Sequence, residues 1–143
     1  MKALYGLFMV LVLGAVLAAC SASTANIQSA DLGTGFDKSS NSVTGATTTF
    51  AADAPELHCV TKVANVPDGT TVRAVWTAVD VTDANGNAIK DQQIREYTST
   101  LAADGAVDFK LSVPNSGQWP AGAYKVDLYL NDKMDRSLAF SVQ

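Results

Sequence analysis

The sequence predicts an all-β protein, built as an antiparallel sandwich of about seven to eight strands. Two observations predict this class: apolar and polar residues alternate along much of the chain, and turn-forming dipeptides recur between the alternating runs. After residue 20, no stretch shows the spacing of three and four residues that marks an amphipathic helix. With 143 residues, the chain is long enough for one domain and too short for two.

The alternating runs are typical of strands that bury one face. In the clearest run, every second residue from Val107 to Val113 is apolar, with Asp108, Lys110 and Ser112 between them. Residues 89–101 alternate less clearly and fit either one strand or two. The same alternation recurs in residues 57–63, 72–78, 124–130 and 138–142.

The segments between these runs contain turn signals. Asp-Gly and Asn-Gly supply the positive φ that tight hairpin turns need. Residues 38–49 are polar without alternation and are predicted to be mostly loop, with residues 47–50 available to join a sheet edge. The predicted turns are VPDGT (66–70), DANGN (83–87), ADGA (103–106), PNSGQWPAG (114–122) and NDKMD (131–135).

The chain starts with a segment typical of export signals. Lys2 is its single charge, and the uncharged run from Leu4 to Ala19 is sixteen residues long. A helix that spans a bilayer needs roughly 20 residues, and a core helix would carry a polar face, which this run lacks. We therefore expect residues 1–19 to be a helical secretory signal peptide.

The end of this run resembles the lipobox of bacterial lipoproteins. It reads Leu17-Ala18-Ala19-Cys20 and is followed by the small, polar stretch SASTAN. The resemblance implies cleavage between Ala19 and Cys20, a diacylglycerol on the Cys20 sulfur and an acyl chain such as palmitate on its amino group. The alternative is an ordinary signal peptide whose small residues happen to precede a cysteine. The lipoprotein interpretation divides the chain into a signal peptide (1–19), a lipidated tether (20–26) and one domain (27–143).

Several residues of the later chain follow the framework of the immunoglobulin fold. Cys59 lies on an early predicted strand, Trp76 lies on the next, and Tyr124 stands two residues before Val126 on the penultimate one. Immunoglobulin domains carry a cysteine, a buried tryptophan and a Tyr-x-Cys at the corresponding places. The chain therefore resembles an immunoglobulin-like β-sandwich in which Val126 replaces the second cysteine.

The resemblance covers residues 27–143. WPAGAYKV (119–126) and the terminal FSV (140–142) are similar to the W-P-x-G-x-Y-x-V and F-x-V motifs of small immunoglobulin-like modules in bacterial envelope and secreted proteins. The pattern names an architecture that hosts many roles, and no single activity. The core residues that it and the alternation predict are Cys59, Trp76, Phe109, Tyr124, Val126 and Phe140.

The two cysteines and the single histidine offer little for catalysis. A Cys20–Cys59 disulfide is excluded if Cys20 is lipidated, because its sulfur is then a thioether. Cys59 is predicted to point into apolar surroundings, where a thiol has a raised pKa and little thiolate. His58, the only histidine, is predicted to point outward to the surface. Adjacent strand residues face opposite ways, so these two side chains cannot work as a pair.

Metal binding is equally unsupported. Asp83, Asn85 and Asn87 have the spacing that begins a calcium loop, but Ala88 and Ile94 stand where that loop needs glycine and glutamate. We interpret the segment as a hairpin turn. We expect no metal, no cofactor and no enzymatic activity.

One predicted strand is apolar on the face that should meet solvent. That face carries Val75, Thr77, Val79 and Val81. Exposed apolar patches are often partner surfaces, so Val75 and Val79, with Tyr129 on a neighbouring strand and Trp119 in a turn, are the candidate interaction surface. The alternatives are that the tether or residues 89–101 cover this face, and that Trp119 packs at a corner of the sandwich.

These features predict an envelope lipoprotein that acts as a non-catalytic binding or scaffolding module. It would be anchored in the cell membrane or outer membrane and face the periplasm or the exterior, with an envelope protein as its partner. The net charge is −4 and the basic residues are scattered singly, which argues against nucleic acid and anionic lipid as ligands. A carbohydrate- or surface-ligand-binding module using Trp119 and Tyr129 is the second hypothesis, and a small envelope hydrolase or redox enzyme is the third.

Overall fold

The computed structural model describes residues 23–143, so the predictions for residues 1–19 and for Cys20 lie outside the described residues. The described chain folds into nine strands joined by turns and short loops. They are β1 (Asn26–Asp37), β2 (Ser42–Ala46), β3 (Thr49–Phe50), β4 (Glu56–Ala64), β5 (Thr70–Thr82), β6 (Ala88–Leu101), β7 (Gly105–Ser112), β8 (Ala121–Leu130) and β9 (Lys133–Val142).

The strands form two sheets that pack face to face. One sheet has the strand order β2-β1-β4-β7 and the other has the order β3-β9-β8-β5-β6. All pairings are antiparallel except that of the two-residue β3 with β9, which is parallel. The prediction of an all-β sandwich is confirmed. Among residues 23–143, no helix is long and apolar enough to cross a membrane.

The core between the sheets is centred on an aromatic cluster. The ring of Phe140 lies 5.6 Å from that of Phe50, 5.8 Å from that of Trp76 and 5.3 Å from that of Tyr124, measured between centroids. Aromatic pairs of this kind contribute about 0.5–1.5 kcal/mol each beyond the burial of their area. The cluster therefore joins four strands of the five-stranded sheet, β3, β5, β8 and β9.

The chain before β4 contains more strand than the sequence predicted. β2 and β3 fall within residues 38–50, which were predicted to be mostly loop, and β1 begins at Asn26, inside the predicted tether. No residue of β2 is fully buried, so nothing requires its residues to alternate and periodicity carries no signal. Residues 89–101, left open between one strand and two, belong to the single strand β6.

A β-bulge in β5 changes which of its residues face the core. The register with β8 shifts between Ala78 and Asp80. The inward alternation of Trp76 and Ala78 therefore resumes at Val81, which is 2% exposed and packs in the core. The sequence predicted that Val81 shares the outer face with Val75, and the extra residue of the bulge reverses its direction.

Candidate functional site

The predicted interaction surface lies on the outer face of the five-stranded sheet, but it is not an open apolar patch. Val75 is 9% exposed. Val79, at the bulge, and Tyr129 are half-buried. The structure thus removes Val75 as an exposed contact residue and leaves the other two partly accessible.

One ion pair lies on each side of Val75, towards β6 and towards β8. Its cross-strand neighbours are Glu96 on β6 and Asp127 on β8. Oε2 of Glu96 is 3.6 Å from a guanidinium nitrogen of Arg73, and Oδ2 of Asp127 is 2.9 Å from Nζ of Lys125. The hydrogen bond to Asp127 raises the pKa of Lys125. Glu96 and Lys125 therefore present charge to solvent on this part of the outer face, whereas Asp127 is only 6% exposed.

Tyr129 is paired with Arg73 on the same face. The guanidinium carbon of Arg73 lies 3.9 Å from the centroid of the Tyr129 ring, an arrangement in which the cation is attracted to the ring's π face. One face of the ring is therefore occupied by a side chain of the protein itself. The pair links β5 to β8 on the outer face of the sheet.

Trp119 is buried, so the structure removes it from the candidate surface. It is 5% exposed, its backbone N–H donates to the Ala52 carbonyl at 2.7 Å, and its Nε1–H donates to the Ala54 carbonyl at 2.8 Å. Nearby, the Tyr124 hydroxyl donates to the Pro120 carbonyl at 2.5 Å, and burial raises the pKa of Tyr124 to about 12. The two hydrogen bonds of Trp119 tie the turn before β8 to the segment before β4.

Cys59 is fully enclosed in the core. It is 0% exposed, pairs across the sheet with Phe109 of β7, and its Sγ lies 3.8 Å from Oγ1 of Thr61. Burial raises the pKa of the Cys59 thiol to about 12. The group is therefore a protonated thiol at neutral pH, without the thiolate that nucleophilic chemistry requires.

We expect Cys59 to resist thiol reagents in the folded chain. Because its pKa is about 12, the thiolate fraction stays small at mildly alkaline pH, and the buried sulfur is out of reach of the reagent. Maleimide labelling of the full chain, located by peptide mass mapping, should modify Cys59 only after urea unfolds the protein. In the matched control Ser112→Cys, a thiol at an exposed position of β7 should react under both conditions. Rapid labelling of Cys59 in the native chain would contradict its placement in the core.

His58 is buried on the outer face of the four-stranded sheet, although the sequence predicted a surface residue. It is 5% exposed. Its Nδ1 lies 2.9 and 3.0 Å from the two carboxylate oxygens of Asp108, and its Nε2 lies 3.3 Å from Glu56. Lys110 donates to Glu56 at 2.7 Å, which lowers the pKa of Glu56. Both ring nitrogens are engaged, so the imidazole links β4 to β7 and is not free to act as a general base.

Asp83 stabilises the turn between β5 and β6 by accepting hydrogen bonds within it. Its Oδ1 accepts hydrogen bonds from the backbone N–H of Asn85 at 2.9 Å and of Asn87 at 2.8 Å, and its Oδ2 accepts from the Asn87 side chain at 3.0 Å. These bonds, led by that of the Asn87 side chain, lower the pKa of Asp83. Across residues 23–143, no group of three or more His, Cys, Asp or Glu side chains is placed to hold a metal ion.

The edge strand β6 is the surface that sequence reasoning passed over. Nearly all of its residues are exposed. It carries Ile94, 39% exposed, and Tyr97, 37% exposed, two of the three large apolar side chains that are exposed in the described chain. A cleft of about 280 Å³ beneath it is lined in part by Ile89, Ile94 and Trp119. The sequence of β6 shows no clear alternation of apolar and polar residues, because a strand that is exposed along most of its length has no buried face to require one.

Comparison with solved structures settles the fold. No protein-family model and no curated protein sequence matches this chain. An immunoglobulin-like protein from Pseudomonas aeruginosa is similar with a TM-score of 0.55 and 12% identity, over 83% of this chain and 96% of that chain. This chain has an immunoglobulin-like fold.

Two further solved structures are similar to this chain with lower TM-scores. The C-terminal domain of wzt is 12% identical, with a TM-score of 0.45 over 83% of this chain and 73% of that chain. A mutant β-glucosidase from Listeria innocua, in complex with laminaribiose, is 16% identical, with a TM-score of 0.43 over 68% of this chain and 15% of that chain.

The framework residues take their immunoglobulin places in this fold. Cys59 lies on one sheet, and Trp76 and Val126 are cross-strand neighbours on the other, all three fully buried. Tyr124 bonds back to the backbone four residues upstream, as the tyrosine corner of such domains does. Cys59 is a free thiol, with Val126 in the position of its usual partner.

Proposed function

We propose that this protein is a membrane-anchored envelope lipoprotein whose immunoglobulin-like domain is a non-catalytic binding or scaffolding module. The observation that carries the proposal is the engagement of its reactive side chains. Cys59 is an enclosed thiol with a raised pKa, and His58 is held at both nitrogens by carboxylates. The two lie on opposite faces of β4, so they do not meet. The domain would therefore bind other molecules through the outer surfaces of its sheets.

The anchor in this proposal is lipid on Cys20. Each buried CH₂ of an acyl chain contributes about 0.8 kcal/mol to membrane binding, and one chain alone holds a protein only marginally. A diacylglycerol with a further acyl chain on the same residue holds it firmly. β1 begins at Asn26, so the short linker can reach at most about 20 Å. The sandwich would therefore work close to the bilayer, on the periplasmic or exterior side.

A protein partner fits the outer face of the five-stranded sheet better than a sugar does. Of the two aromatic residues that a glycan site would use, Trp119 is buried and Tyr129 is covered on one face by Arg73. Sugar rings need an open aromatic face on which to stack. The charged pairs around Val75 suit instead an envelope protein that presents complementary charges.

Replacing Cys20 with serine should abolish acylation of the protein. We expect wild-type chain in the membrane fraction, with an intact mass that lacks residues 1–19 and includes acyl chains. Cys20→Ser should keep its signal peptide or appear in the soluble fraction, without acyl mass. Cys59→Ser is the matched control and should fractionate as wild type. An unmodified Cys20 in the wild-type protein would overturn the lipoprotein proposal.

The binding role is tested in the same cells. After crosslinking, a wild-type chain that works as a binding module should yield a specific protein adduct, and the charge reversal Lys125→Glu on the outer face should reduce it. Lys38→Glu, in the exposed turn between β1 and β2, is the control and should leave the adduct unchanged. Strong labelling on a glycan array, with no protein adduct, would replace the protein partner with a carbohydrate.

A further inference from the structure

We propose that the free edge of β6 pairs with β6 of a second copy of this chain, antiparallel and about a two-fold axis at Gln93. The two five-stranded sheets would then form one continuous sheet across the dimer interface. This inference goes beyond the proposed function and does not depend on the anchor.

The edge of β6 is available for pairing. The strand order places β6 at the end of its sheet, next to β5 alone. Its 14 residues make it the longest strand of the described chain. Such an edge presents a row of unpaired backbone N–H and C=O groups, which can pair with another strand. Ile94 and Tyr97 on it are large apolar side chains left partly exposed.

The charges of β6 are self-complementary in one register. Pairing about Gln93 sets Lys90 opposite Glu96 of the second copy, and Asp91 opposite Arg95 of the second copy, each twice by symmetry. Within residues 23–143, neither Asp91 nor Arg95 forms an ion pair, whereas Lys90 already pairs with Asp80 at 2.9 Å and Glu96 with Arg73 at 3.6 Å. The Asp91–Arg95 pairs are therefore the ones that carry this register. Opposite charges that face each other across paired strands are stabilising.

Neighbouring registers are opposed by the same charges. A shift by one residue in one direction sets Lys90 opposite Arg95, and a shift in the other direction sets Asp91 opposite Glu96. Like charges directly opposite each other on paired strands are destabilising. Charges on an edge strand commonly prevent it from pairing with another strand. The order of charges on β6 instead disfavours the two neighbouring registers and favours the register about Gln93.

The two faces of β6 agree with this register. Ile89 and Tyr97 pair across β5 with Val81 and Ala74, which are core residues, so both point to the inner side of the sheet. Pairing about Gln93 sets Ile89 opposite Tyr97 of the second copy. An apolar pair would thus cover the inner side of the interface.

One bulge and one interruption limit how tightly the edges can join. The ladder of β6 with β5 has a bulge at Ile94 and is interrupted, without a change of register, at Asp91, whose φ is 47°. Bulges twist an edge strand and interrupt pairing. We therefore expect a reversible dimer whose population rises with concentration, rather than an obligate one.

A cysteine at residue 93 tests the register directly. In the proposed dimer residue 93 faces itself, and opposed residues of antiparallel strands lie about 4.5–5.5 Å apart at Cα, within the range a disulfide spans. Mild oxidation of full-length Gln93→Cys in cells should give disulfide-linked dimer at least about tenfold above wild type. Gln118→Cys, an exposed glutamine in the loop after β7, is the matched control and should stay at the wild-type level. Equal crosslinking of both variants would overturn the proposal.

Charge reversal on the Gln93→Cys background tests the pairing. Arg95→Glu sets glutamate opposite Asp91 twice and should lower dimer formation about tenfold. Adding Asp91→Lys to Arg95→Glu restores opposite charges and should restore the crosslink. Lys133→Glu, the same change of charge on β9, should have no effect. Protection of Cys59 from maleimide shows that each variant is folded. Crosslinking that is indifferent to Arg95→Glu in a folded chain would rule out this register.

Discussion

Replacing Trp76 with alanine should lower the free energy of unfolding by about 4 kcal/mol, within the range seen when a buried large aromatic side chain is truncated. Trp76 is 0% exposed and its ring lies 5.8 Å from that of Phe140 at the centre of the aromatic cluster. Its removal leaves a cavity that two packed sheets cannot close without moving whole strands. Since domains of this size are stable by about 5–15 kcal/mol, this one change would remove a large share of the stability.

Trp76→Phe separates the effect of volume from that of the indole N–H. Nε1 of Trp76 is buried without a hydrogen-bond partner, so phenylalanine loses no bond there and keeps an aromatic ring against Phe140. We expect a cost below about 1.5 kcal/mol. Urea unfolding of the wild type and both variants measures the difference. If Trp76→Ala were as stable as Trp76→Phe, Trp76 would not be the centre of the core.

Replacing Gly122 with alanine should cost about 3 kcal/mol, because strain and a clash act together. Gly122 has a φ of 141°, a backbone conformation that residues with a side chain seldom adopt. A Cβ there would lie 2.7 Å from Cα of Val81 and would also collide with the backbone oxygen of Asp80. Both contacts are backbone atoms at the β5 bulge, so no flexible side chain can move aside.

Gly105→Ala is the matched control for this substitution. Gly105 has no positive φ, and nothing lies within 4 Å of the position its Cβ would take. We expect its stability to stay within about 1 kcal/mol of wild type, or to rise slightly, because alanine restricts the unfolded chain. In thermal unfolding, Gly122→Ala should melt on the order of 10 °C lower than Gly105→Ala. Equal melting temperatures would mean that the bulge in β5 and the start of β8 can separate at little cost.

The strands with one buried face could be predicted from the sequence because their signal is local. Residues 107–113 show it, since Phe109 and Leu111 lie in the core while Lys110 and Ser112 are exposed. β2 could not be predicted, because an edge strand that buries no residue completely leaves no apolar pattern. Which residues of β5 face the core after Ala78 could not be predicted either, because the bulge depends on the pairing of β5 with β8.

The candidate sites depended still more on the tertiary structure. The partners of His58 include Asp108, which is 50 positions away in the sequence, and Arg73 reaches Tyr129 only because β5 and β8 are neighbours. Neither contact can be predicted from the residues that surround these positions in the sequence. The alternation did show that His58 and Cys59 point to opposite sides of β4, which separates the two most reactive groups of the domain.

The class of fold and the inward placement of Cys59, Trp76 and Tyr124 follow from the amino-acid sequence, because the alternation period and the turn residues are properties of consecutive positions. Which of the outward residues are accessible follows from the packing of the strands. Val75 and Trp119 are apolar in the sequence and covered in the fold, while β6, without a clear pattern, is the exposed edge. Exposure depends on neighbouring strands and their register, and these strands are brought together only when the two sheets pack.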